Sequence, residues 1–430
     1  MRKAEQVCGE KLFLGNSDGK GAGGGCATGL GEFCQGVKYL SWIGQRAVLM
    51  GDKNFKSGGL FMDYKICTRC VMDTRGDKGI TFNEKGECSY CTKALEEMPQ
   101  RYLNGKEGEE KLTELLAKLK KEGEGREYDC LMGISGGLDS AYLAYLGAKK
   151  WGLRILALHV DDGFDTEISK GNIQRLCHSC GIEMHTVTPD KKQFYALTKG
   201  YIKAEVPNLA APQDNVLFAE VFDFAIKHRI KYFLSGHNFS LESILQAGNT
   251  HPASDTKNIR DIAKKYSAEK IDKLKLVDTF YWRVYLPKVK GLQQVSPLNY
   301  IDYNRKRAIE ELEENTGFQY YGAKHEENTF TKVFQTYYLY HKFGVDKRKS
   351  HLSSLIVSGQ MTREEALKEL ESLPYDDVEI KKDIRLVCEK LGLSVRDFEE
   401  ICHRPGRQHT EFKTEKLAEV YRKLVAAKGK

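Results

Sequence analysis

The sequence predicts an α/β fold built on a doubly wound parallel sheet, with a small N-terminal ribbon of four cysteines and a helical C-terminal region. Three observations predict this fold: two paired-cysteine motifs, then short apolar runs that alternate with helical patterns, then mainly helical patterns beyond residue 300. Strands and helices that alternate at this rhythm are typical of a parallel sheet with helices on both faces. Such sheets bind ligands at the carboxyl ends of their strands.

Composition excludes several classes of protein. The chain has 430 residues, a formal net charge of +7 and 30% charged residues. This balance is typical of a solvated globular surface and excludes a strongly basic nucleic-acid arm. No apolar run approaches the length of a membrane span, and the N-terminus lacks the layout of a secretory signal. Of the 12 cysteines, four form a metal-type pattern, which favours a reducing cytoplasm over a disulfide framework.

Five segments differ in composition and pattern. Residues 1–61 are rich in glycine and have no clear period, which predicts a flexible extension because such sequence loses much entropy on ordering. The other segments are a cysteine ribbon at 62–95, a linker helix at 96–127, the sheet domain at 128–300 and a helical region at 301–430.

Hydrophobic periodicity places the individual elements. Four leucines between residues 112 and 119 form one stripe of a charged amphipathic helix at 105–124. In the sheet domain we expect strands at 129–134, 154–160, 183–189 and 231–238, with helices at 141–150, 168–181 and 215–229. Two N-cap patterns predict helix starts in the C-terminal region, Thr362-x-x-Glu365 and Ser394-x-x-Asp397.

A glycine-rich turn follows the first strand, with the sequence Ser135-Gly136-Gly137-Leu138-Asp139-Ser140. Backbone N–H groups in such a turn point at an anion, and the dipole of the following helix adds partial positive charge. Asp139 cannot bind phosphate directly, so a bridging Mg²⁺ is its expected partner. The spacing excludes the Walker loop and the Rossmann fingerprint. The alternative interpretation is an ordinary strand–turn–helix corner.

Polar residues also follow the second and fourth strands. His159, Asp161 and Asp162 end the second strand, and a polar strand end with turn residues is the alternative there. After the fourth strand, the sequence from 235 to 243 reads SGHNFSLES. Its glycine, Gly236, frees the backbone, and its polar side chains are His237, Asn238 and Glu242. We expect both strand ends to face the anion site at the glycine-rich turn, with Glu242 one helical turn beyond Asn238.

Two CxxC pairs predict a metal site. Cys67, Cys70, Cys88 and Cys91 have the spacing of a four-cysteine site for tetrahedral Zn²⁺, so the ribbon is predicted to be a structural zinc ribbon. A third pair, Cys177 and Cys180, falls within a predicted helix. We interpret that pair as half-buried apolar residues, with redox or sulfur-carrier work as the alternative.

The segment 318–366 interleaves aromatic and basic residues. Such a surface binds phosphate groups and stacks on a base, whereas a solvated basic helical face over an aromatic core gives the same pattern. The candidates on this segment are Lys324, His325, Glu326, Lys342 and Arg348, with Asp346, Lys347 and His351 beside them.

In its context after a strand, the glycine-rich turn resembles the pyrophosphate loop (PP-loop) of the N-type ATP pyrophosphatases. That group has the adenine nucleotide alpha hydrolase-like fold and includes asparagine synthetase, GMP synthetase and the tRNA thiolation enzymes. From about Met62 to Arg422 the chain also resembles the N-acetyl sugar amidotransferases of bacterial surface-polysaccharide and lipopolysaccharide O-antigen synthesis. The matching stretches are MDYKICTRCVMDT, GISGGLDS, VDDGFDTE, SGHNFSLES and the run from Tyr320 to Ile356.

The resemblance implies an ATP-dependent amidotransferase that converts an acetamido group of an activated sugar to an acetamidino group. ATP would adenylate the amide oxygen, and ammonia would then displace AMP. The implied ATP-binding residues are Ser135, Gly136, Gly137, Asp139, Ser140, His159, Asp161, Gly236 and His237. The implied catalytic residues are Asp139, Asn238, Glu242 and Lys324, and the implied sugar-binding residues are Lys324, His325, Glu326, Lys342 and Arg348. The implied cofactors are ATP, Mg²⁺ and Zn²⁺.

The resemblance also implies a partner. Relatives obtain ammonia from a separate glutaminase and synthase pair that resembles histidine-pathway proteins, and the sequence has no glutaminase motif. Residues 128–300 would be the ATP pyrophosphatase domain and 301–430 the substrate-binding region, with no nucleic-acid or membrane partner. Two alternatives stay open: a PP-loop tRNA thiolation enzyme, and a non-catalytic nucleotide-binding scaffold, which the intact six-residue loop disfavours.

Overall fold

The computed structural model describes residues 64–77, 79–322 and 326–416. The predicted glycine-rich extension, residues 1–61, lies outside this described part, as do Lys324 and His325.

A five-stranded parallel sheet forms the centre of the fold, in the order β3-β2-β1-β4-β5. Met132 of β1 lies opposite Ala157 of β2 on one side and Leu234 of β4 on the other. The chain moves outward from β1 to β3 and then crosses to β4, so the strand order reverses between β1 and β4. Crevices at such a switch point are the usual ligand sites of open α/β sheets. The strands are β1 (Cys130–Gly133), β2 (Ile155–Val160), β3 (Glu183–Val187), β4 (Tyr232–Leu234) and β5 (Gln293–Val295).

Alternate strand residues enter two different cores, as expected of a doubly wound sheet. Met132 and Ala157 pack with the helix that follows β1, whereas Leu131 and Leu156 pack with Phe222 on the opposite face. Each run of apolar strand residues is therefore buried on both sides. The predicted α/β fold with helices on both faces is confirmed.

Helices cover the sheet and form the C-terminal region. In the first half they are α1 (Ser89–Arg101), α2 (Lys106–Glu122), α3 (Leu138–Tyr145), α4 (Glu167–Cys180), α5 (Lys191–Ala204), α6 (Ala211–Lys227), α7 (Phe239–Glu242) and α8 (Thr256–Tyr266). In the second half they are α9 (Arg305–Thr316), α10 (Thr329–Lys332), α11 (Leu339–Phe343), α12 (Arg348–Val357), α13 (Arg363–Glu369), α14 (Asp377–Leu391) and α15 (Val395–His403). π-Helical turns occupy Leu146–Lys150, Tyr281–Lys290 and Val333–Tyr338, and 3-10 turns occupy Ala247–Asn249, Pro297–Tyr300 and His409–Glu411.

Both predicted N-caps of the C-terminal region are present. Thr362 and Glu365 form a reciprocal capping box at the start of α13, and the Ser394 side chain accepts from the Asp397 N–H at the start of α15. None of the helices in the described ranges is long and apolar enough to cross a membrane.

Several elements of the sheet domain have no counterpart among the sequence-based predictions, β5 and α5 among them. β5 has the sequence QQV and pairs at the sheet edge with β4, where its largely exposed side chains leave no apolar pattern. Helix α5 contains glycine and aromatic residues. It packs into a second core, which it shares with the C-terminal helices α14 and α15. The predicted fourth strand is also shorter than expected, because residues 235–238 form a loop.

The cysteine ribbon packs against the C-terminal region. Single antiparallel bridges join Ile66 to Asp73 and Phe82 to Cys88. The Arg363 side chain of α13 donates to the carbonyl oxygens of Cys67 and Cys70 at 3.0 to 3.2 Å. Helices beyond residue 300 therefore hold the ribbon in place.

Candidate active site

The glycine-rich loop requires glycine at position 136. Gly136 has φ of +77°, and a Cβ added there would lie 2.5 Å from the Ser169 carbonyl oxygen. Gly137 is the N-cap residue of α3, and no side-chain hydrogen bond caps the helix there. The Gly137 N–H donates to the Ser135 hydroxyl at 3.2 Å, and the Leu138 N–H donates to the Tyr321 hydroxyl at 3.1 Å. An anion bound by the loop would accept from these two N–H groups, which in the structure donate to hydroxyl groups that an anion can replace.

Asp139 is held by two distant side chains. The Tyr303 hydroxyl donates to Asp139 Oδ1 at 2.5 Å, and the Asn238 amide donates to the same oxygen at 3.2 Å. Tyr303 is fully buried, and burial together with the nearby Asp139 charge raises the pKa of Tyr303 well above its usual range. The phenol therefore stays a donor. Asn238 is oriented in turn by the Leu241 N–H, which donates to its oxygen at 2.9 Å.

Two adjoining cavities lie at the carboxyl ends of β1, β2 and β4. The loop cavity, about 430 Å³, is bounded by Ser135–Ser140 on one side and by residues from 320 to 352 on the other. The strand-end cavity, about 470 Å³, is bounded by Gly133, Leu158 and Phe233. We call the two cavities together the cleft. Their shared walls include Ser135, Asp214, Gly236, Glu242, Glu327, Lys347 and His351. The cleft therefore occupies the switch point between β1 and β4.

The second strand end contributes a buried pair. His159 Nδ1 lies 3.0 Å from the Ile134 carbonyl oxygen, and Nε2 lies 3.1 Å from the Asp165 carboxylate. Burial opposes charge on His159, but the hydrogen bond and charge of Asp165 outweigh burial and raise the pKa of His159. Its ring borders the strand-end cavity while both nitrogens are engaged in the protein. The sequence did not identify Asp165, which lies six residues after His159, because acidic residues are common in turns and carry no specific signal.

The two aspartates after β2 differ in position. Asp162 borders the strand-end cavity, and Gln213 and Asn328 donate to its carboxylate. Burial, with the charge of Asp165, raises the pKa of Asp162 to about 6. Asp161, the predicted ATP residue, instead accepts from the Gly163 N–H at 2.9 Å and pairs with Lys191. It lines neither cavity, so the structure does not bring the Asp161 side chain to the cleft.

The fourth strand end meets the glycine-rich loop directly. A Cβ added to Gly236 would lie 3.1 Å from the Ser140 nitrogen, so the two loops are almost in backbone contact. His237 Nδ1 pairs with the Glu242 carboxylate one turn along α7. His237 and Glu242 line the loop cavity, and Asn238 reaches it through Asp139. The structure therefore brings the predicted residues of both loops together.

The predicted C-terminal residues separate into two groups. Glu326 and Arg348 line the loop cavity. Arg348 is nevertheless engaged by the Asp346 carboxylate, with its Nη2 2.7 Å away, and by carbonyl oxygens near residue 372. Lys342 lies outside the cleft: its fully buried ammonium contacts Glu205 and the carbonyl oxygens of Ile401 and Arg404. The structure does not bring Lys342 to the cleft, because Glu205 and two carbonyl oxygens hold its ammonium among the C-terminal helices.

Lys347 is the cation that both cavities share. Burial lowers the pKa of Lys347, and the charge of Glu242 opposes that shift. Arg305, Lys332 and Arg348 also line the loop cavity, but a tyrosine hydroxyl or carboxylates engage each of them. Lys347 has no hydrogen bond or ion pair with any residue that the structure describes, so its ammonium is placed for an anion in the cleft.

The four ribbon cysteines lie as a metal site requires. All four Sγ atoms lie within 4.8 Å of one another, and the Cys67–Cys91, Cys70–Cys88 and Cys88–Cys91 pairs are 3.5 to 3.6 Å apart. Tetrahedral zinc with Zn–S bonds of about 2.3 Å places its sulfurs roughly 3.8 Å apart. An iron–sulfur cluster interposes several atoms between its thiolates and needs wider spacing. The donor set fits one tetrahedral ion with no open position.

The chain is similar to one protein-family model and to parts of several known proteins. Residues 327–425 match the family model "LPS biosynthesis protein WbpG-like, C-terminal domain". The chain is 27% identical over 178 residues to the glutamine-hydrolyzing GMP synthase of Chlamydia muridarum, a stretch that covers 41% of this chain and 34% of that protein. It is 29% identical over 120 residues to tRNA-specific 2-thiouridylase MnmA 2 of Fusobacterium nucleatum, covering 26% and 34%. The chain thus spans about a third of each relative's length.

Among solved structures, U34-tRNA thiolase NcsA from Methanococcus maripaludis, with its 4Fe-4S cluster, covers 72% of this chain and 89% of its own at 14% identity. The TM-score of this match is 0.31. The region matched by the family model begins at Glu327 and includes Lys347 and His351, which line the cleft. The predicted resemblance is confirmed at this level: residues 327–425 match the model of the WbpG-like C-terminal domain, and this region lines one cleft with the glycine-rich loop of a parallel sheet.

Proposed function

We propose that this protein is an ATP-dependent amidotransferase that converts the acetamido group of an activated N-acetyl sugar to an acetamidino group. One observation carries the proposal. The WbpG-like region supplies Glu327, Lys347 and His351 to the same cavity wall that faces Ser135–Ser140. A nucleotide held by the loop therefore has its reactive end directed at the part of the chain related to lipopolysaccharide biosynthesis.

The loop is suited to grip the β- and γ-phosphates. Ser135 and Ser140 offer hydroxyls, and the N-terminus of α3 offers N–H groups. Asp139 would hold Mg²⁺, and the carboxylate suits a hard cation that prefers oxygen ligands. Tyr303 and Asn238 fix the orientation of Asp139, so the carboxylate does not have to reorganise when the nucleotide arrives.

The reaction proceeds in two displacements. The acetamido oxygen attacks the α-phosphorus of ATP, a P–O bond forms, and pyrophosphate leaves with the electron pair of the bond that breaks. Ammonia then attacks the imidate carbon, a C–N bond forms, and AMP leaves carrying the former amide oxygen. Adenylation is needed because amide resonance makes the carbonyl carbon a poor electrophile and its oxygen a poor leaving group. The protein contributes positioning and charge stabilisation, with Lys347 as the cation for the negative charge that develops.

Ammonia reaches the cleft from solution or from a separate glutaminase and synthase pair. We place the sugar near Glu326 and the loop cavity, because that cavity extends from the PP-loop toward the WbpG-like helices. We infer that the four-cysteine site holds structural zinc, since its sulfur spacing suits a single tetrahedral ion.

The second candidate is tRNA thiolation, which the similarity to the 2-thiouridylase favours. Sulfur transfer needs a reactive thiol beside the adenylated base, but within the described ranges no cysteine lines the cleft. Cys177 and Cys180 are buried in the sheet core, and burial raises the pKa of Cys177 to about 11. A thiol with that pKa is a poor nucleophile at neutral pH. We therefore favour the sugar amide.

Oxygen labelling tests the proposal. The purified protein is incubated with MgATP, ammonium chloride and UDP- or CMP-linked N-acetyl sugars whose acetamido oxygen is heavy oxygen, with transfer RNA as the control substrate. Mass spectrometry should find the heavy oxygen in AMP and the acetamido oxygen replaced by nitrogen in the sugar. AMP release that depends on transfer RNA and not on the sugars would refute the amidotransferase and favour thiolation.

Asp139→Asn is the matching variant. This variant keeps the shape of the side chain and the acceptor oxygen for Tyr303 but loses the negative charge. We therefore expect a protein that folds normally and forms AMP at least 100-fold more slowly. Loss of a group that stabilises transition-state charge slows a reaction by about 10²–10³. Asp302→Asn, which alters an exposed carboxylate outside the cleft, is the control. Unchanged AMP release in Asp139→Asn would remove the loop from the mechanism.

A further inference from the structure

Among the three carboxylates in the shared wall of the cleft, Asp214 differs from Glu242 and Glu327 in having no donor in the described part of the chain. Asp214 lies in the first turn of α6 and belongs to the shared wall of both cavities. Asp139 accepts from Tyr303, and Glu242 pairs with His237. No group in the described part of the chain donates a hydrogen bond to the Asp214 carboxylate or forms an ion pair with it.

The residues on both sides of Asp214 are fixed. Gln213 donates to the Asp162 carboxylate. Asn215 is fully buried: its amide donates to the carbonyl oxygens of Ala253 and Val277 at 2.7 Å, and its oxygen accepts from the Val277 N–H at 3.1 Å. These contacts fix the backbone at the start of α6, where Asp214 borders both cavities.

The surroundings of Asp214 are apolar on its own helix. Leu217 and Phe218, three and four residues further along α6, lie on the same helical face and line both cavities. The Asp214 side chain is exposed where α6 borders the cleft, although the protein packed around the carboxylate raises the pKa of Asp214 to about 7. A carboxylate poised near neutral pH and fixed beside a reactive site is suited to exchange a proton during the reaction.

We propose that Asp214 binds the incoming ammonium ion and accepts one of its protons. This inference rests on the proposed function and names the residue that prepares its nucleophile. One N–H bond of ammonium breaks, and the proton goes to an Asp214 carboxylate oxygen. The freed lone pair forms the C–N bond to the imidate carbon as the C–O bond to AMP breaks. Without this transfer, ammonium has no lone pair and cannot attack.

The other charged groups around the cleft suit this role. Lys347 and His351 face it from the start of α12, Glu242 and His237 from the loop after β4, and Asp139 from the glycine-rich loop. Further charged residues line the loop cavity: Arg305, Glu326, Glu327, Lys332, Arg348 and Glu369. Lys347 and the PP-loop serve the phosphates, while Glu242 is shared with His237. Asp214, on α6, is thus the carboxylate of the shared wall that is left for a cation.

A comparison of half-reactions tests the proposal. Adenylation is followed without ammonia, as exchange of labelled pyrophosphate into ATP that depends on the UDP- or CMP-linked N-acetyl sugar active in the labelling experiment. Amidination is followed as the acetamidino product. Asp214→Asn should exchange pyrophosphate within about twofold of the unaltered protein but amidinate about 100-fold more slowly, as for loss of a general base. Asp223→Asn, on the same helix outside the cleft, should match the unaltered protein in both assays.

The pH dependence separates proton transfer from a structural role. At fixed total ammonium the unaltered protein should lose amidination as pH falls below about 7, where Asp214 becomes protonated, and stay nearly level above it. Asp214→Asn must use free ammonia from solution, so its rate should rise roughly tenfold per unit of pH through neutrality. Identical profiles for the two proteins would overturn the proposal.

The remaining outcomes are also decisive. Loss of pyrophosphate exchange in Asp214→Asn would overturn the assignment, because Asp214 would then serve the nucleotide. Absence of exchange in the unaltered protein would overturn the proposed function and this inference with it. Thallium(I), an electron-dense monovalent substitute for ammonium, should give a crystallographic peak at the Asp214 carboxylate that Asp214→Asn abolishes. A thallium peak confined to another part of the cleft would refute the binding role.

Discussion

At the scale of single residues, the cleft carboxylates differ in role because their surroundings differ. Asp139 is oriented by a buried phenol, Asp162 by two amides, and Asp214 by the rigid start of its helix. The sequence predicted Asp139 because it lies in the glycine-rich loop, and it predicted Asp161 to bind ATP, whereas the adjacent Asp162 is the residue that borders the cleft. It gave no signal for Asp214, which resembles any acidic residue in a helical first turn, or for Tyr303, which reaches Asp139 across 164 residues of chain.

The pair formed by His159 and Asp165 makes a pH-dependent contribution to stability. Because Asp165 raises the pKa of His159 against the effect of burial, the folded state holds the proton more tightly than the unfolded state. That stabilisation is complete below about pH 6.5 and is lost as pH rises through the raised pKa. Asp165→Asn should therefore lower the free energy of unfolding by about 2 kcal/mol more near pH 6 than near pH 8.5.

Urea unfolding at the two pH values measures this difference. Glu183→Gln is the control, since it breaks the exposed pair of Glu183 and His185 and should change stability by less than about 1 kcal/mol. An equal loss for Asp165→Asn at both pH values would contradict a protonated His159.

Gly136 is required for two separate reasons, and variants can separate them. Gly136→Ala combines a left-handed backbone with a Cβ 2.5 Å from a carbonyl oxygen, whereas Gly359→Ala has a similar φ of +72° and nothing within 4 Å. Gly359→Ala should cost about 1–2 kcal/mol from backbone strain alone. Gly136→Ala should cost more and should abolish ATP binding, because the loop must move away from α4. Calorimetric unfolding and ATP titration check both, and equal effects of the two variants would contradict the role of the close approach.

At the scale of elements, prediction succeeded where the pattern is local. Helix α2, the strands β1 to β4 and the caps of α13 and α15 depend on residues a few positions apart, and the sequence located them. It missed β5, because an edge strand with exposed glutamines has no apolar alternation. It also assigned Lys342 to the substrate, because nothing local indicates that Glu205 and two carbonyl groups neutralise it.

The ribbon should depend on its metal. Its two short bridges and few apolar residues form a small core, so metal binding supplies much of the folding free energy, roughly 10 kcal/mol for such sites. Cys67→Ser should reduce bound zinc from a full equivalent to near zero and expose the ribbon to proteolysis. Cys177→Ser, which alters a buried thiol outside the cluster, should retain its zinc. Elemental analysis that finds iron in the unaltered protein, or undiminished zinc in Cys67→Ser, would refute the structural zinc site.

At the scale of the molecule, the ribbon and the C-terminal helices support one wall of the cleft together. Arg363 joins α13 to the ribbon carbonyls, Lys349 pairs with Asp73, and the Val71 N–H donates to Ser353 on α12. These contacts span 276 to 296 residues of chain, so no local pattern reveals them. Helix α12 carries both this support and the cleft residue His351.

Nucleotide binding should therefore protect two distant parts of the chain at once. With a non-hydrolysable ATP analogue at about 100 times its dissociation constant, mass action stabilises the bound state by about 2.7 kcal/mol. Amide hydrogen exchange should slow in residues 134–140 and 235–242 and also in 327–352, because these segments line one cleft. Helix α2 and helix α15, which do not line it, serve as internal controls. Protection confined to the PP-loop would mean that the WbpG-like helices do not contact the nucleotide, and the amide to be activated would then have to reach ATP from another side of the cleft.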